Sequence, residues 1–250
     1  MKIFVITLTG SKERQANIQN QLDKFNLEYE FLFGVDGRKL TQTEIDNFYD
    51  SKKAKTFQRE LNHTEIGCSM SHKLVYEKMI NENIDCAIIL EDGILLHPDF
   101  PYIVNNLNNI KINKIAIKLD RCNASQKINN NFKSGYFTPW HRVKLTENYC
   151  IGQPLGDPTL AGGYYIDLEA AGIIYSLIPK IFLVADAWWY FRKKIKFRVI
   201  NSGLIWRDRA LIPSIMYVRK NNKETFFLKF IKIIIKIIVY LIRLPIFLFK

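Results

Sequence analysis

The sequence is poor in cysteine and in acidic residues, and its apolar C-terminal part contains no long uncharged stretch. The four cysteines, Cys68, Cys86, Cys122 and Cys150, are widely spaced and include no C-x-x-C pair. This argues against a zinc site and against a disulfide scaffold, so we expect reduced thiols. Between residues 226 and 250 the longest uncharged runs have only six residues, whereas a transmembrane helix needs about 20.

The 24 acidic residues are outnumbered by 36 lysines and arginines, which gives a formal net charge of +12. Such a charge favours anionic partners: nucleic acid, lipid headgroups or phosphorylated substrates. We expect no nucleic-acid partner, because the sequence lacks the basic helix or aromatic–basic array of a known module. Hydrophobic residues make up 48% of the chain, which is enough for a core and argues against general disorder.

Apolar runs typical of strands alternate with helical periodicities along the first 200 residues. The predicted strands are residues 2–8, 29–33, 86–90, 94–96, 114–119, 164–166 and, last, 197–200. The predicted helices include 11–25, one after Thr41, one after Asn62 and 168–177. We interpret the apolar start as a buried strand rather than a signal peptide. The alternation predicts an α/β domain with a mostly parallel central sheet.

Two helix starts carry the pattern of a capping box, in which the N-cap and N3 side chains bind each other's backbone N–H groups. These are Thr41 with Glu44, and Asn62 with Glu65. The second helix then shows apolar residues at the spacing of one buried face. That predicted face consists of Ile66, Met70, Leu74, Val75 and Met79.

An acidic pair, Glu91 and Asp92, ends the apolar run 86–90. Ionised carboxylates are costly inside a core unless they are paired or bind a metal. Ligands of open α/β sheets bind at the carboxyl ends of strands, so the pair is expected to hold the ribose of a nucleotide and a divalent cation. Carboxylate oxygens suit Mg²⁺ or Mn²⁺. The alternative is a polar strand end that faces solvent.

Several short segments, taken in order, resemble the signature of glycosyltransferase family 25, which includes lipooligosaccharide and collagen galactosyltransferases. They are EIGCSMSH at 65–72, IDCAIILED at 84–92, FVITL at 4–8, FGVDG at 33–37, GGYYI at 162–166 with EAA at 169–171, and VAD at 184–186. The resemblance covers roughly residues 2–190. It implies a single GT-A-like domain, residues 1–218, a nucleotide-sugar donor, commonly UDP-galactose, and inversion at the anomeric carbon.

The resemblance also implies which residues bind the donor. They are Thr7, Asp36, Glu65, His72, Glu91 and Asp92. Simpler roles stay open for three of them: turn formation for Asp36, helix capping for Glu65 and a structural histidine for His72. The family usually carries Glu-Asp-Asp, and here Gly93 takes the third place. Asp92 is therefore the expected ligand of Mn²⁺ or Mg²⁺, alone or with His97 or Asp99. Alternatively, basic side chains neutralise the diphosphate without a metal, or the protein is impaired.

Glycosyl transfer requires a base for the acceptor hydroxyl and positive charge for the departing diphosphate. Asp186, in the family-like VAD segment, is the predicted base; its alternative role is the N-cap of a short helix over 188–191. Asp157 is a rival base or a turn residue before proline. Trp188 and Trp189 are predicted to stack on the acceptor sugar, or else to fill the core.

The C-terminal segment, 219–250, is predicted to be an amphipathic helix at a membrane surface. Its cations, Lys229, Lys232, Lys236, Arg243 and Lys250, recur at intervals of three, four, seven and seven residues. This spacing aligns them along one stripe of a helix that can bind anionic lipids while the apolar residues enter the acyl boundary. A buried helix and a coiled-coil partner are the competing interpretations.

Together these features predict an inverting glycosyltransferase that adds a hexose to a lipid-linked lipooligosaccharide acceptor. The family resemblance implies that this hexose is galactose. We expect it to act as a peripheral protein at the cytoplasmic face of a bacterial inner membrane. The alternative is a catalytically impaired membrane-surface protein that binds sugar nucleotide or glycolipid.

Overall fold

The computed structural model describes residues 1–120, 142–154 and 156–208. The strands are β1 (Lys2–Thr7), β2 (Glu30–Phe33), β3 (Cys86–Glu91), β4 (Ile94–Leu96), β5 (Ile115–Lys118), β6 (Val143–Lys144), β7 (Cys150–Gly152), β8 (Gly163–Asp167), β9 (Lys196–Ile200) and β10 (Ile205–Arg207). The helices are α1 (Lys12–Lys24), α2 (Gln42–Phe48), α3 (Ser51–Phe57), α4 (His63–Asn81), α5 (Phe100–Leu107), α6 (Leu168–Leu177) and α7 (Trp188–Phe191), with a 3₁₀ turn at Gly37–Lys39. Within these residues, no helix is long and apolar enough to cross a membrane.

The predicted tail, 219–250, and the predicted domain boundary after residue 218 lie outside the described residues, as does Cys122. The tail therefore stays a prediction from the sequence.

Eight strands form one sheet in the order β2-β1-β3-β8-β5-β9-β7-β6. β1 pairs in parallel with β2 and β3, and β5 pairs in parallel with β9. β8 lies antiparallel between β3 and β5, and β7 runs antiparallel to β9 and β6. Six of the eight strands therefore run in one direction, since only β8 and β7 are reversed. The predicted α/β fold with a mostly parallel sheet is confirmed.

The chain leaves the large sheet after the acidic pair. β4, predicted to resume the preceding strand, pairs instead with β10 in a separate antiparallel two-stranded sheet. β10 shows that the prediction of 197–200 as the last strand is wrong. Its three residues, Ile-Trp-Arg, are too few to display the alternation that identifies a strand.

Alternate residues of the central strands enter two different apolar layers, as expected when successive side chains point to opposite faces of a sheet. In β1, Phe4 and Ile6 face the layer that contains α4 and α6, whereas Ile3 and Val5 face the layer that contains α1 and α5. β3 follows the same rule. The sheet is therefore covered on both sides, and its polar residues concentrate where the strands end.

Both predicted capping boxes are present. Thr41 and Glu44 bind each other's backbone N–H groups at the start of α2, and Asn62 and Glu65 do so at the start of α4.

The buried face of α4 differs from the predicted one. Leu74 is among the exposed large apolar residues, while the polar residues Ser69, Ser71 and His72 are buried. Each of these polar side chains has a hydrogen-bond partner: Ser69 donates to the Leu183 carbonyl, Ser71 accepts from the Val35 N–H, and His72 contacts the Tyr164 hydroxyl. An apolar periodicity cannot anticipate such a face, because its burial depends on partners distant in sequence.

Candidate active site

The acidic pair lies at the carboxyl end of β3, at the same edge of the sheet as the carboxyl ends of β1 and β5. Thr7 ends β1, and Asp120 lies two residues after β5, which runs in the same direction. This edge is where open α/β sheets bind ligands. A cleft of about 700 Å³ near Met1 and Tyr29 contains none of the predicted site residues.

Asp92 is buried and held by three partners. Its Oδ2 accepts a hydrogen bond from the Thr7 hydroxyl (2.7 Å), its Oδ1 lies 3.3 Å from Nη1 of Arg14, and its backbone N–H donates to the Ile6 carbonyl. Gln15 in turn donates to the Thr7 oxygen (3.2 Å). Burial raises the pKa of Asp92 above its ordinary value, although the Thr7 hydrogen bond and the Arg14 charge act in the opposite direction.

These contacts do not fit a cation bound by Asp92, because both carboxylate oxygens are engaged and a guanidinium lies against one of them. Across residues 1–120, 142–154 and 156–208, Asp92 belongs to no cluster of three potential metal ligands. The two residues expected as possible additional metal ligands also have hydrogen-bond partners: Nδ1 of His97 accepts from the Asp99 N–H, and the Asp99 carboxylate accepts from the Tyr149 hydroxyl.

We expect Asp92→Asn and Asp36→Asn to change the pH dependence of stability in opposite directions. The stabilising contribution of a group with a raised folded-state pKa, such as Asp92, is lost as the pH rises through that pKa. Hydrogen bonding by Arg38 holds the pKa of Asp36 below its ordinary value, so its contribution is lost as the pH falls. The free energy of unfolding of Asp92→Asn should rise relative to wild type above about pH 4. That of Asp36→Asn should be lower than wild type above about pH 4 and approach the wild-type value as the pH falls below it. Urea unfolding at a series of pH values measures both differences; parallel curves would contradict the assignment.

Glu91 faces His72 across the end of β3. Its Oε1 lies 3.7 Å from Nε2 of His72, and its side chain is 26% exposed. Burial disfavours the charged carboxylate, but the adjacent His72 ring and the positive charge of Arg207 outweigh this effect. The pKa of Glu91 therefore lies below its ordinary value. The other ring nitrogen of His72, Nδ1, lies 2.8 Å from the Tyr164 hydroxyl, which is 2.8 Å from that of Tyr76.

Cys68 lies among several of the predicted site residues. Burial raises the pKa of its thiol, and the negative charges of Glu91, Asp186 and Glu65 raise it further, while Arg207 lowers it. These charged groups are therefore close enough to Cys68 to affect its ionisation. The predicted base and the predicted donor carboxylate thus both act on the ionisation of Cys68.

Asp186 is tied to the same region through the segment 160–162. Its Oδ2 accepts a hydrogen bond from the Leu160 N–H (2.7 Å), and two residues later the Gly162 carbonyl accepts from the Glu91 N–H (2.9 Å). The alternative role of Asp186 as an N-cap is not observed, because Ala187 is the N-cap of α7 and no side chain caps it. Its rival Asp157 forms a more exposed ion pair with Arg192 (3.0 Å).

The two tryptophans have different environments. Trp188 is fully buried, stacks on Phe197 with ring centroids 4.7 Å apart, and donates its indole N–H to the Leu160 carbonyl. This placement favours the core-filling interpretation, because no face of its ring is open to a sugar. Trp189 is partly exposed and lies beside Phe57 and Lys193. An acceptor contact thus stays a prediction for Trp189.

Asp36 and Glu65 have roles of the simpler kind that the sequence left open. Asp36 caps the 3₁₀ turn and binds Arg38 through two side-chain hydrogen bonds of 2.8 Å. Glu65 completes its capping box and binds Arg59 at 2.8 and 2.6 Å. Both carboxylates are already paired with arginine, so a donor contact would have to be made beside that arginine.

The FGVDG and EIGCSMSH segments pack directly against each other. The Val35 N–H donates to the Ser71 hydroxyl (2.8 Å), and a Cβ added to Gly67 would lie 2.5 Å from the Gly37 nitrogen and 2.6 Å from the Val35 carbonyl oxygen. The glycines therefore allow two backbones to meet closely. This contact fixes the turn after β2 against the helix that carries Cys68 and His72.

Sequence reasoning missed several residues of this edge. Asp120 accepts from the Gly162 N–H (3.0 Å) and pairs with the fully buried Lys118. Its signal was available, since an aspartate after an apolar strand is the same pattern as Glu91 and Asp92. Arg14 lies on α1, 78 residues before Asp92, so no local pattern links the two. Arg207 carried no signal, because it lies on the unpredicted strand β10.

Comparison with known proteins gives a family. The family model for glycosyltransferase family 25 (LPS biosynthesis protein) matches residues 1–189. A glycosyltransferase 25 family member of Aedes aegypti is 32% identical over 102 residues, which are 39% of this chain and 17% of that protein. The lipooligosaccharide biosynthesis protein lic2B of Haemophilus influenzae is 28% identical over 93 residues, which are 37% of this chain and 34% of that protein. Procollagen galactosyltransferase 2 of Homo sapiens is 24% identical over 103 residues, 40% of this chain and 16% of that protein.

These matches thus span between 16% and 34% of each relative's length, whereas the family model covers most of this chain. On that basis the chain belongs to glycosyltransferase family 25.

Proposed function

We propose that the chain is an inverting glycosyltransferase with a GT-A-type arrangement that moves a hexose from a nucleotide sugar to a lipid-linked oligosaccharide. Family membership supports the reaction class. The name of the Haemophilus influenzae relative supports a lipooligosaccharide acceptor, and the name of the human relative supports galactose. UDP-galactose is the donor that we propose on this basis.

The observation that carries the proposal is the short connection between Asp186 and the acidic pair. Asp186 holds the Leu160 N–H, and the Gly162 carbonyl holds the Glu91 N–H. The proposed base and the proposed donor site are thus linked through the short segment 160–162, which supports a direct transfer between two bound substrates.

In this proposal the donor binds along the ends of β1 and β3. Thr7 and Asp92 form the buried floor of the site, and Glu91 is exposed enough to accept a hydrogen bond from a ribose or sugar hydroxyl. Arg14, partly exposed beside Asp92, and Arg207, whose charge acts on Glu91, supply positive charge for the diphosphate.

Asp186 acts as the general base. It takes the proton from an acceptor hydroxyl as that oxygen attacks the anomeric carbon, and the bond from this carbon to the diphosphate oxygen breaks. The nucleoside diphosphate leaves with the bonding electron pair, so configuration at the anomeric carbon is inverted in one displacement. Trp189 is the proposed platform for the acceptor sugar.

The proposal places the chain at the cytoplasmic face of the inner membrane, where a lipid-linked acceptor is accessible. The support is the basic, amphipathic pattern of residues 219–250, which favours binding to anionic lipid.

A second candidate is a catalytically impaired protein that binds sugar nucleotide or glycolipid at the membrane surface. The specific observation in its favour is Gly93, which replaces the third acidic residue usual in the family. Binding without turnover would distinguish it.

The direct test is release of UDP from UDP-galactose by the purified full-length chain with a lipid-linked oligosaccharide acceptor. We expect acceptor-dependent UDP release and a product one hexose heavier by mass spectrometry. Parallel incubations with UDP-glucose and other UDP-sugars identify the donor, and calorimetry measures binding. Binding without release would support the second candidate, and neither binding nor release would contradict both.

A further inference from the structure

Three potential metal ligands of different chemical type converge beside the candidate active site. One ligand atom from each of Cys68, His72 and Glu91 lies within 4.8 Å of the other two. Cys68 and His72 are four residues apart on α4, so their side chains lie on the same face of the helix. Glu91 comes from the end of β3, where its backbone N–H is fixed by the Gly162 carbonyl.

His72 gives a second, independent indication of a ligand. It is 2% exposed, and its Nε2, which points toward Glu91, has no hydrogen-bond partner among the residues that the structure describes. A buried ring nitrogen without a partner costs free energy comparable to a lost hydrogen bond unless a bound group satisfies it. The 3.7 Å between this nitrogen and the Glu91 carboxylate is too long for a hydrogen bond.

The other side of the His72 ring is held as metal-binding histidines usually are. Nδ1 contacts the Tyr164 hydroxyl at 2.8 Å, and the two rings stack with centroids 5.7 Å apart. When Nδ1–H donates to this hydroxyl, the lone pair of Nε2 points into the cluster. Such outer contacts fix the tautomer and orientation of a ligating imidazole.

The ligand types and spacing select a class of metal. Thiolate, imidazole and carboxylate together suit Zn²⁺, whereas Mg²⁺ and Mn²⁺ prefer oxygen ligands. Zinc–ligand bonds of about 2.0–2.3 Å in a tetrahedron place ligand atoms about 3.3–3.8 Å apart, and the His72–Glu91 distance of 3.7 Å already lies in that range. Closing the remaining gaps requires side-chain shifts of about 1 Å.

We propose that Cys68, His72 and Glu91 bind one divalent metal ion of the zinc class and leave its fourth coordination position open. A thiolate and a carboxylate neutralise the two charges of the ion, and the nearby carboxylates of Asp186 and Glu65 add negative potential. Cys68 and Glu91 are partly exposed, so an exchangeable ligand can reach the ion.

This site differs from the cation expected at Asp92 and from the sequence-based expectation that the cysteines form no zinc site. A search for C-x-x-C pairs cannot find it, because two of the ligands are spaced as Cys-x-x-x-His and the third comes from another element. The proposal does not depend on the glycosyl donor or acceptor, so metal binding and turnover can fail separately.

The test uses the full-length chain, freed of metal by a chelator and then loaded with Zn²⁺ or, separately, Co²⁺. We expect one ion per chain by elemental mass spectrometry. The Co²⁺ form should show thiolate-to-metal charge-transfer absorption in the near ultraviolet. Cys68→Ser, a nearly isosteric change, should abolish that absorption, whereas the control Cys150→Ser, on β7, should retain it. Tyr164→Phe should keep the absorption and weaken metal affinity by about 10-fold or more.

Circular dichroism establishes that each variant is folded, and Glu91→Gln provides a ligand variant outside α4. The proposal is overturned if the folded wild-type chain retains neither ion after loading. It is also overturned if Cys68→Ser and Glu91→Gln bind with wild-type stoichiometry, affinity and spectrum, or if excess Mg²⁺ displaces Zn²⁺ readily.

Discussion

Replacing Asp186 with asparagine is expected to lower kcat for UDP release by about 10²–10⁴-fold, the usual contribution of a general base. Asparagine keeps an oxygen that can accept the Leu160 N–H, whose bond to Asp186 is 2.7 Å long. The segment 160–162 should therefore stay in place, while the group that takes the acceptor proton is lost. The measurements are kcat with saturating substrates and the Kd for UDP-galactose, which should change little.

The matched control is Asp157→Asn, which removes the rival carboxylate from its ion pair with Arg192. This change should leave kcat within about twofold of wild type, because an exposed ion pair contributes about 1 kcal/mol or less. If Asp157→Asn abolishes turnover and Asp186→Asn does not, the roles of the two residues are reversed. Equal small effects from both would remove the proposed base altogether.

Gly67→Ala is expected to destabilise the protein by about 1–3 kcal/mol or more, the cost of overpacking a close contact. The added Cβ would lie 2.5 Å from the Gly37 nitrogen and 2.6 Å from the Val35 carbonyl oxygen. Both are backbone atoms, so they cannot move aside as a flexible side chain would, and the turn after β2 must shift away from α4. Urea denaturation measures the loss of unfolding free energy. Thermal unfolding should show a Tm that is lower by roughly 2–4 °C per kcal/mol.

Gly172→Ala supplies a control with the opposite sign. Gly172 lies inside α6, and an added Cβ there would meet nothing within 4 Å. Alanine favours a helix over glycine by roughly 0.5–1 kcal/mol, so this variant should be more stable than wild type. A Gly67→Ala variant as stable as Gly172→Ala would mean that the turn and α4 do not touch closely.

Elements with strong local signals were predicted well. The continuous apolar run of β3 and the capping boxes of α2 and α4 are written in adjacent residues, and the structure has each of them. The antiparallel direction of β8 and the separate pairing of β4 with β10 depend on contacts between distant segments. No local sequence pattern predicts this strand direction or this pairing.

The same distinction applies to the site. Glu91 and Asp92 were recognisable because two carboxylates directly follow the apolar run 86–90 of a buried strand, where a charge is costly unless it has a partner. The sequence could not predict that Asp92 binds Thr7 and Arg14, since these residues lie 85 and 78 positions away. Likewise, Trp188 and Trp189 are adjacent and chemically identical, and only the packing of α7 separates the buried ring from the partly exposed one.

The segment 160–162 is anchored at both of its ends. Asp186 and Trp188 hold the N–H and carbonyl of Leu160, and Asp120 and Glu91 hold the N–H and carbonyl of Gly162. The three residues of this segment reach at most about 10 Å from the Leu160 nitrogen to the Gly162 carbonyl, so the segment sets the distance between the proposed base and Glu91. In the proposed reaction, the length of this segment then determines which acceptor hydroxyl can reach Asp186 while the donor is bound beside Glu91. Inserting one residue into the segment would bring a different hydroxyl to the base.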